Sequence, residues 1–437
     1  MSSRAECNGV EGSRKDLNME MAKYKLGDLC RIASSKRIFE SEYVEKGVPF
    51  IRGQEISDGS ILDPKASFEC YISQSRYEEI KEKYGKPTKG DILITAVGTI
   101  GNLCYLDKDI DFYFKDGNVI WFSEIISSCE GKFLFHFMKS SFFKDQLKYF
   151  MIGAVQKALT IDMLKKVEVP LPPLSEQKKI ASVLSALDDK IALNKKMNQK
   201  LEAMAKRLYG YWFVQYDFPD KNGHPYKTTG GPMTYNETLK REIPVGWEVS
   251  NICPLMEILP GGTPSKAKPE YWNGDIPFFG PTDYCGDVYQ LSTEEHITEK
   301  GLNNCASALY PPKTIFITAR GSVGKLIVCG KPMAMNQSCY ALKPFDLEKY
   351  EYLFYLTKQL IEQLKKKGSG SVFRSINTLD IEQSFMSVAP NEIIDLYCKK
   401  VKSIFERIKG NTVEIAKLTA LRDKLLPLLM NGQVVVG

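Results

Sequence analysis

Histidine is scarce in this sequence, paired cysteines are missing and no long apolar run occurs; each shortage removes a class of function. Only His136, His224 and His296 occur in 437 residues, and none of the 11 Cys falls in a C-x-x-C pair. No metal-ligand cluster with recognisable spacing can be assembled from them, so the expectation is no metal site. The scattered thiols read as free cysteines of a reducing compartment. No apolar stretch reaches the roughly 18 residues needed to cross a bilayer, and the opening MSSRAECNGVEGSRKD lacks the apolar stretch of a secretory signal. A cytoplasmic protein without a membrane partner is expected.

Enzyme signatures are equally sparse. Adenine methylation would need Asn or Asp before Pro-Pro-aromatic, whereas the chain offers only LPPL (171–174) and YPPK (310–313). GSVGK (321–325) lacks the spacing of a phosphate-binding loop. With so few His and no ligand cluster, hydrolysis has no obvious base or metal.

What is present is a solvated surface over a real core: 43% hydrophobic and 26% charged residues, enough length for two or three domains. The net charge of +6 is small, so its placement matters more than its size. Lys and Arg number 8 against 4 acidic residues in 175–213 and 8 against 5 in 391–430, which together exceed the whole excess. Outside these segments, any nucleic-acid surface must be a local patch.

The chain repeats itself. VPFIRGQEI (48–56) matches IPFFGPTDY (276–284), and ILITAVGTIGN (92–102) matches TIFITARGSVGK (314–325). Thr95, Ala96, Gly98 and Gly101 thereby fall on Thr318, Ala319, Gly321 and Gly324. DGNVIWF (116–122) sits opposite NQSCYAL (336–342), and LTIDMLKKVEVPLPP (159–173) opposite NTLDIEQSFMSVAP (377–390). A heptad segment follows each half. Ile180, Leu184, Leu187, Ile191, Asn194, Asn198, Leu201, Ala205 and Leu208 keep coiled-coil seam spacing, as do Tyr397, Val401, Ile404, Ile408, Asn411, Ile415, Leu418, Arg422 and Leu425. Asn194 and Asn411 interrupt the two seams at equivalent places, which reads either as a register device between paired helices or as two amphipathic helices with Asn facing water.

The expected organisation is a flexible leader (1–22), a globular unit (23–172), a helix (173–213), a linker rich in Gly and Pro (214–243), a second globular unit (244–389), a second helix (390–430) and a tail (431–437). Short β-branched runs such as ILIT and TIFIT predict strands, with helix over 132–148 and 349–366, so the class is α+β.

On LPPLSEQKKIASVLSALDDKIALNKKMNQKLEAMAKRLY (171–209), LPGGTPSKAKPEYWNGDIPFFGPTDY (259–284) and the paired layout of unit, helix, unit, helix, the chain resembles the specificity subunits of type I restriction–modification systems. It departs from the family at the start of the second helix, APNEIIDLY in place of PLPPLSEQ. The resemblance implies two homologous α/β target-recognition domains, separated by two long helices packed as an antiparallel coiled coil in a pseudo-twofold arrangement. It implies a DNA-binding subunit without catalysis that recognises a split, asymmetric duplex target. One such subunit would dock two methyltransferase subunits and restriction subunits, with S-adenosylmethionine, ATP and Mg held only by those partners and no cofactor in this chain. A DNA-acting enzyme with a fused recognition module and a coiled-coil protein-interaction scaffold are the rival classes.

Base identity is read mainly in the major groove, by Arg against guanine and by Asn or Gln against adenine. Candidates in the first unit are Lys36, Arg37, Arg52, Gln54, Gln156 and Lys157; in the second, Lys266, Thr282, Asp283, Arg320, Gln337 and Arg374. Each could instead touch phosphate or only water. Tyr209, Tyr211, Trp212 and Phe213, at the end of the first helix, read either as an exposed partner interface or as a hydrophobic cap on the coil.

Overall fold

A computed structural model describes residues 21–63, 66–151, 158–367 and 375–436. They fall into two units, the first holding the described residues up to 189 together with 418–436, the second holding 190–417.

In the first unit, β1 (Arg31–Ser34), β2 (Val48–Ile51), β3 (Ile92–Thr95), β4 (Leu103–Tyr105), β5 (Tyr113–Phe114) and β6 (Val119–Ser123) precede the long helix α1 (Leu174–Tyr209). The second unit repeats the plan with β7 (Met256–Pro260), β8 (Trp272–Phe279), β9 (Ile315–Thr318), β10 (Leu326–Cys329), β11 (Ala334–Met335) and β12 (Cys339–Pro344), followed by α2 (Asn391–Met430). The main sheets have the orders β1-β6-β3-β4 and β7-β12-β9-β10, the latter extended by Tyr289–Gln290. Their registers coincide: Ile94 faces Ile120 and Leu103, and Ile317 faces Tyr340 and Leu326. A second sheet in each unit pairs β2 in parallel with β5, and β8 with β11. The duplication inferred from sequence is therefore a duplication of topology.

The central strands are buried along their whole length because alternate side chains meet different layers. Ile92 and Ile94 pack with Phe133 and Leu134 of helix Gly131–Lys139, while Leu93 packs with Ile51 and Phe114 on the other face. In the second unit Ile315 and Ile317 pack with Leu353 and Phe354 of helix Tyr350–Lys367, and Phe316 with Phe279 and Met335. A run with no polar alternation, such as ILIT, is what a two-sided core requires.

Both long helices contribute to both units, and within each unit they run antiparallel. In the second, Asn194 Nδ2 donates to Glu414 (2.9 Å), Asn198 Nδ2 to Thr412 (3.3 Å) and Asn411 Nδ2 to Asn198 (2.8 Å). The two Asn flagged by the sequence are both buried, but they do not meet; Asn411 pairs with Asn198, because antiparallel helices bring equivalent positions to different levels. In the first unit Ile180 and Leu184 pack with Leu426 and Leu429, and Asp188 accepts from Arg422 (2.9 Å) and Lys139 (2.8 Å).

His136 lies buried beside this ion cluster, its Nε2 3.1 Å from the Ser185 hydroxyl. Burial, reinforced by Lys139, lowers its pKa to about 4 against the pull of Asp188. The unfolded chain takes up a proton near pH 6.5 and the folded one does not, so stability falls as pH drops through that window. Between pH 7 and 5 the loss should be about 2 kcal/mol. Urea titrations at both pH values should show His136→Gln losing markedly less; an equal loss would refute the assignment.

The Gly- and Pro-rich segment expected as a linker between the two globular regions is itself folded. Phe218 stacks on Tyr226 at 4.6 Å, Asp217 accepts from the backbone and hydroxyl of Thr228 (both 2.8 Å), and Met233–Asn236 pairs with Arg241–Pro244. Tyr216 and Phe218 are buried against Trp247, and that burial outweighs the flexibility of the glycines.

Candidate nucleic-acid interface

A strand buried on both faces has to reverse direction within a few residues, and both units do so with the same seven-residue loop. Gly98 and Gly101 have φ of 75° and 91°, and Gly321 and Gly324 of 76° and 78°, a region that glycine enters without a Cβ clash. The Thr that closes the strand holds the turn. Thr95 Oγ1 accepts from Asn102 N (3.0 Å) and donates to Thr99 O; Thr318 Oγ1 accepts from Lys325 N (2.9 Å) and donates to Ser322 O. The next residue ties in the neighbouring loops: Ala96 N donates to Asn118 O and Ala319 N to Ser338 O, both at 2.7 Å. Ala96 O accepts from Leu159 N and Ala319 O from Ile376 N, both at 2.9 Å.

The turn after β2 is matched in the same way. Glu55 accepts from Arg52 N (2.8 Å), and Asp283 accepts from Gly280 N (2.8 Å). In the first unit this turn meets the glycine loop through Ser57, 2.9 Å from Thr99 and 2.8 Å from Asn102. Each unit thus gathers three loops, 52–57, 96–102 and 115–118 or 280–285, 319–325 and 336–338, where strands of its two sheets end.

The predicted site residues sort unevenly on this frame. Arg52 forms an ion pair with Glu69 beside Glu55, and Arg37 with Asp116 at 3.0 Å. The Lys36 ammonium lies 4.7 Å above the Tyr84 ring, and its backbone N–H donates to the Tyr113 hydroxyl. Gln54 is exposed on the first turn, reaching Asp58 at 3.4 Å, and Thr282 is exposed on the matching one. Lys266 is engaged by Glu295 (2.9 Å) over Trp272, and Gln337 by the Thr263 hydroxyl. The Arg320 side chain is exposed and forms no ion pair among the described residues. Gln156, Lys157 and Arg374 lie outside the described residues.

Asp283 has a framework task, since it also accepts from Glu294 N at 2.8 Å. Asp283→Ala should lower stability by about 1–2 kcal/mol, as loss of a carboxylate cap does. Thermal denaturation of the full chain would show it; an unchanged midpoint would release the carboxylate for another role.

Tyr209, Trp212 and Phe213 are not an exposed interface. They are buried in the core of the second unit with Tyr352, Tyr355 and Tyr397, because α1 widens into a π-turn over Gly210–Val214 that directs them inward. Tyr211 alone of that run stays half exposed. Sequence reasoning passed over Val97, Ser57, Thr99, Asn102 and Lys325. For Val97, Asn102 and Lys325 the signal lay in the repeat, as unlike residues at aligned positions of a shared turn.

No helix among the described residues is long and apolar enough to cross a membrane. In comparison with known families, the chain matches the "Type I restriction modification DNA specificity domain" over residues 18–203 and 244–412. It is 27% identical to the Type I restriction enzyme HindI specificity subunit of Haemophilus influenzae, over 94% of this chain and 99% of that one. The MjaIX specificity subunit of Methanocaldococcus jannaschii is 28% identical, with 90% and 88% covered. The crystal structure of the type I restriction–modification S subunit from M. genitalium superposes with a TM-score of 0.55 at 15% identity, covering 94% and 96%, which shows a shared fold.

Proposed function

The chain belongs to the specificity subunits of type I restriction–modification systems, and from that premise we propose that each unit reads one half of a split, asymmetric DNA target. The observation that carries this reading is the loop frame: both units hold three loops with the same backbone bonds while presenting different side chains. A common frame gives both units the same mode of approach to duplex. Unlike side chains give them unlike sequences to read.

The long helices supply the spacing. A helix of 36 residues is roughly 54 Å long at 1.5 Å per residue, more than one duplex turn of roughly 34–36 Å. Their basic excess suits phosphate contact without base reading. Methyl transfer and cleavage belong to partner subunits. In this proposal one copy of the chain joins two methyltransferase subunits and the restriction subunits, which hold S-adenosylmethionine, ATP and Mg; this chain carries no cofactor and works in the cytoplasm.

Selection of bound duplexes from a random pool tests the reading, with the full chain alone and co-purified with its methyltransferase subunits. Two unlike half-sites separated by a fixed gap are expected; a pool that enriches no motif in either form overturns it. The isolated chain should neither methylate nor cut.

A further inference from the structure

Duplication separates the residues that build a turn from those the turn displays. Thr95, Ala96, Gly98 and Gly101 are repeated as Thr318, Ala319, Gly321 and Gly324 with the positive φ of the glycines and the hydrogen bonds intact, so they build. Between them stand positions held by the same backbone bonds whose side chains differ in chemistry. Val97, 44% exposed, occupies the place of the exposed Arg320. Asn102 occupies the place of Lys325; their backbone N–H groups make the same bond to a Thr hydroxyl, and both side chains lie against the neighbouring turn, Asn102 on Ser57 and Lys325 over the Tyr284 ring at 5.3 Å.

Resting on the reading that both units bind DNA, we infer that the glycine loop is where the half-sites are told apart, with Val97 and Arg320 as the discriminating pair and Asn102 and Lys325 as its flank. The chemistry assigns the bases. A guanidinium free of ion pairs among the described residues matches the two acceptors of guanine in the major groove, and an exposed valine offers only apolar contact, which suits the thymine methyl. The nearby cations are less suited: Arg52 and Arg37 are each held by a carboxylate, and Lys266 by Glu295. A loop fixed by backbone bonds at both ends also lets one side chain change without moving its neighbours.

The test exchanges the two residues in the full chain and repeats the duplex selection. Arg320→Val should cost on the order of tenfold in preference for guanine at one position of one half-site and leave the other half unchanged. Val97→Arg should create a guanine preference at one position of the other half. Arg320→Lys keeps the charge without the fork, so it should retain overall affinity and still lose the discrimination. Both positions are solvent-facing and outside the Thr and Gly frame, so the melting temperature serves as the folding control. Uniformly weaker binding with an unchanged motif would make Arg320 a phosphate contact and overturn the inference, as would Val97→Arg retaining the original half-site. If the unmodified chain selects no motif at all, the functional reading itself fails.

Discussion

Phe213→Ala should cost the second unit about 4 kcal/mol, the usual loss for truncating a fully buried ring. Phe213 is 2% exposed, and its ring centre lies 4.8 Å from that of Tyr352, 5.0 Å from Tyr209, 5.2 Å from Tyr397 and 5.9 Å from Trp247. These rings come from the end of α1, the start of α2, helix Tyr350–Lys367 and the segment after the folded connection, so one side chain ties four parts of the chain into one core. A domain is stable by only about 5–15 kcal/mol, and losing 4 leaves a partly unfolded unit at moderate urea. Tyr211→Ala, two residues away and 49% exposed, should change stability by less than about 0.5 kcal/mol. Urea denaturation of both variants distinguishes core from surface; equal small effects would restore the reading of this run as an exposed face.

That contrast marks where the sequence was legible. Periodicity and repetition are local, so the strands ILIT and TIFIT, the two glycine turns and both long helices could be placed from residue order alone; α1 begins at Leu174 and α2 at Asn391, each within a residue of expectation. What a hydrophobic side chain packs against is not local. YWF at the end of a helix has the same composition whether it faces a partner or its own core, and only the π-turn over Gly210–Val214 decides. The folded connection was obscured in a similar way. Its glycines and prolines signal a boundary, while the ring pairs that anchor it, Tyr216 and Phe218 with Trp247, are about thirty residues apart and have no shared period.

At the site itself, some information was present and unused. An acidic residue three positions after a turn entrance is the spacing of a capping box, so Glu55 and Asp283 announce a framework role, whereas reading Asp283 for its charge alone makes it a DNA contact. Lys36, Arg37, Lys266 and Arg320 are exposed, but the ion pair of Arg52 was not foreseeable, because Arg52 and Glu69 meet only after the chain between them has folded. Equivalent asparagines were expected to align. In antiparallel helices the partner of a seam position is found by counting the other way, which gives Asn198 to Asn411 and Glu414 to Asn194.

Inserting seven residues into each long helix, between Ile191 and Ala192 and between Ala416 and Lys417, should lengthen the gap between the half-sites and leave both half-site sequences unchanged. Seven residues preserve the seam phase and add roughly 10 Å of helix, so the gap grows by up to about three base pairs at roughly 3.4 Å each. The matched insertion keeps Asn194 opposite Glu414 and Asn198 opposite Asn411, since all four lie on the same side of the new segments. Inserting into α1 alone should behave differently. The polar pairs would stay in step in the second unit, but Asp188 and Leu184 would sit two turns from Arg422 and Leu426, which removes the interhelix ion pair and shifts the apolar contacts in the first. Duplex selection with each insertion reads the outcome directly. A matched insertion that leaves the gap unchanged would show that these helices do not measure the target.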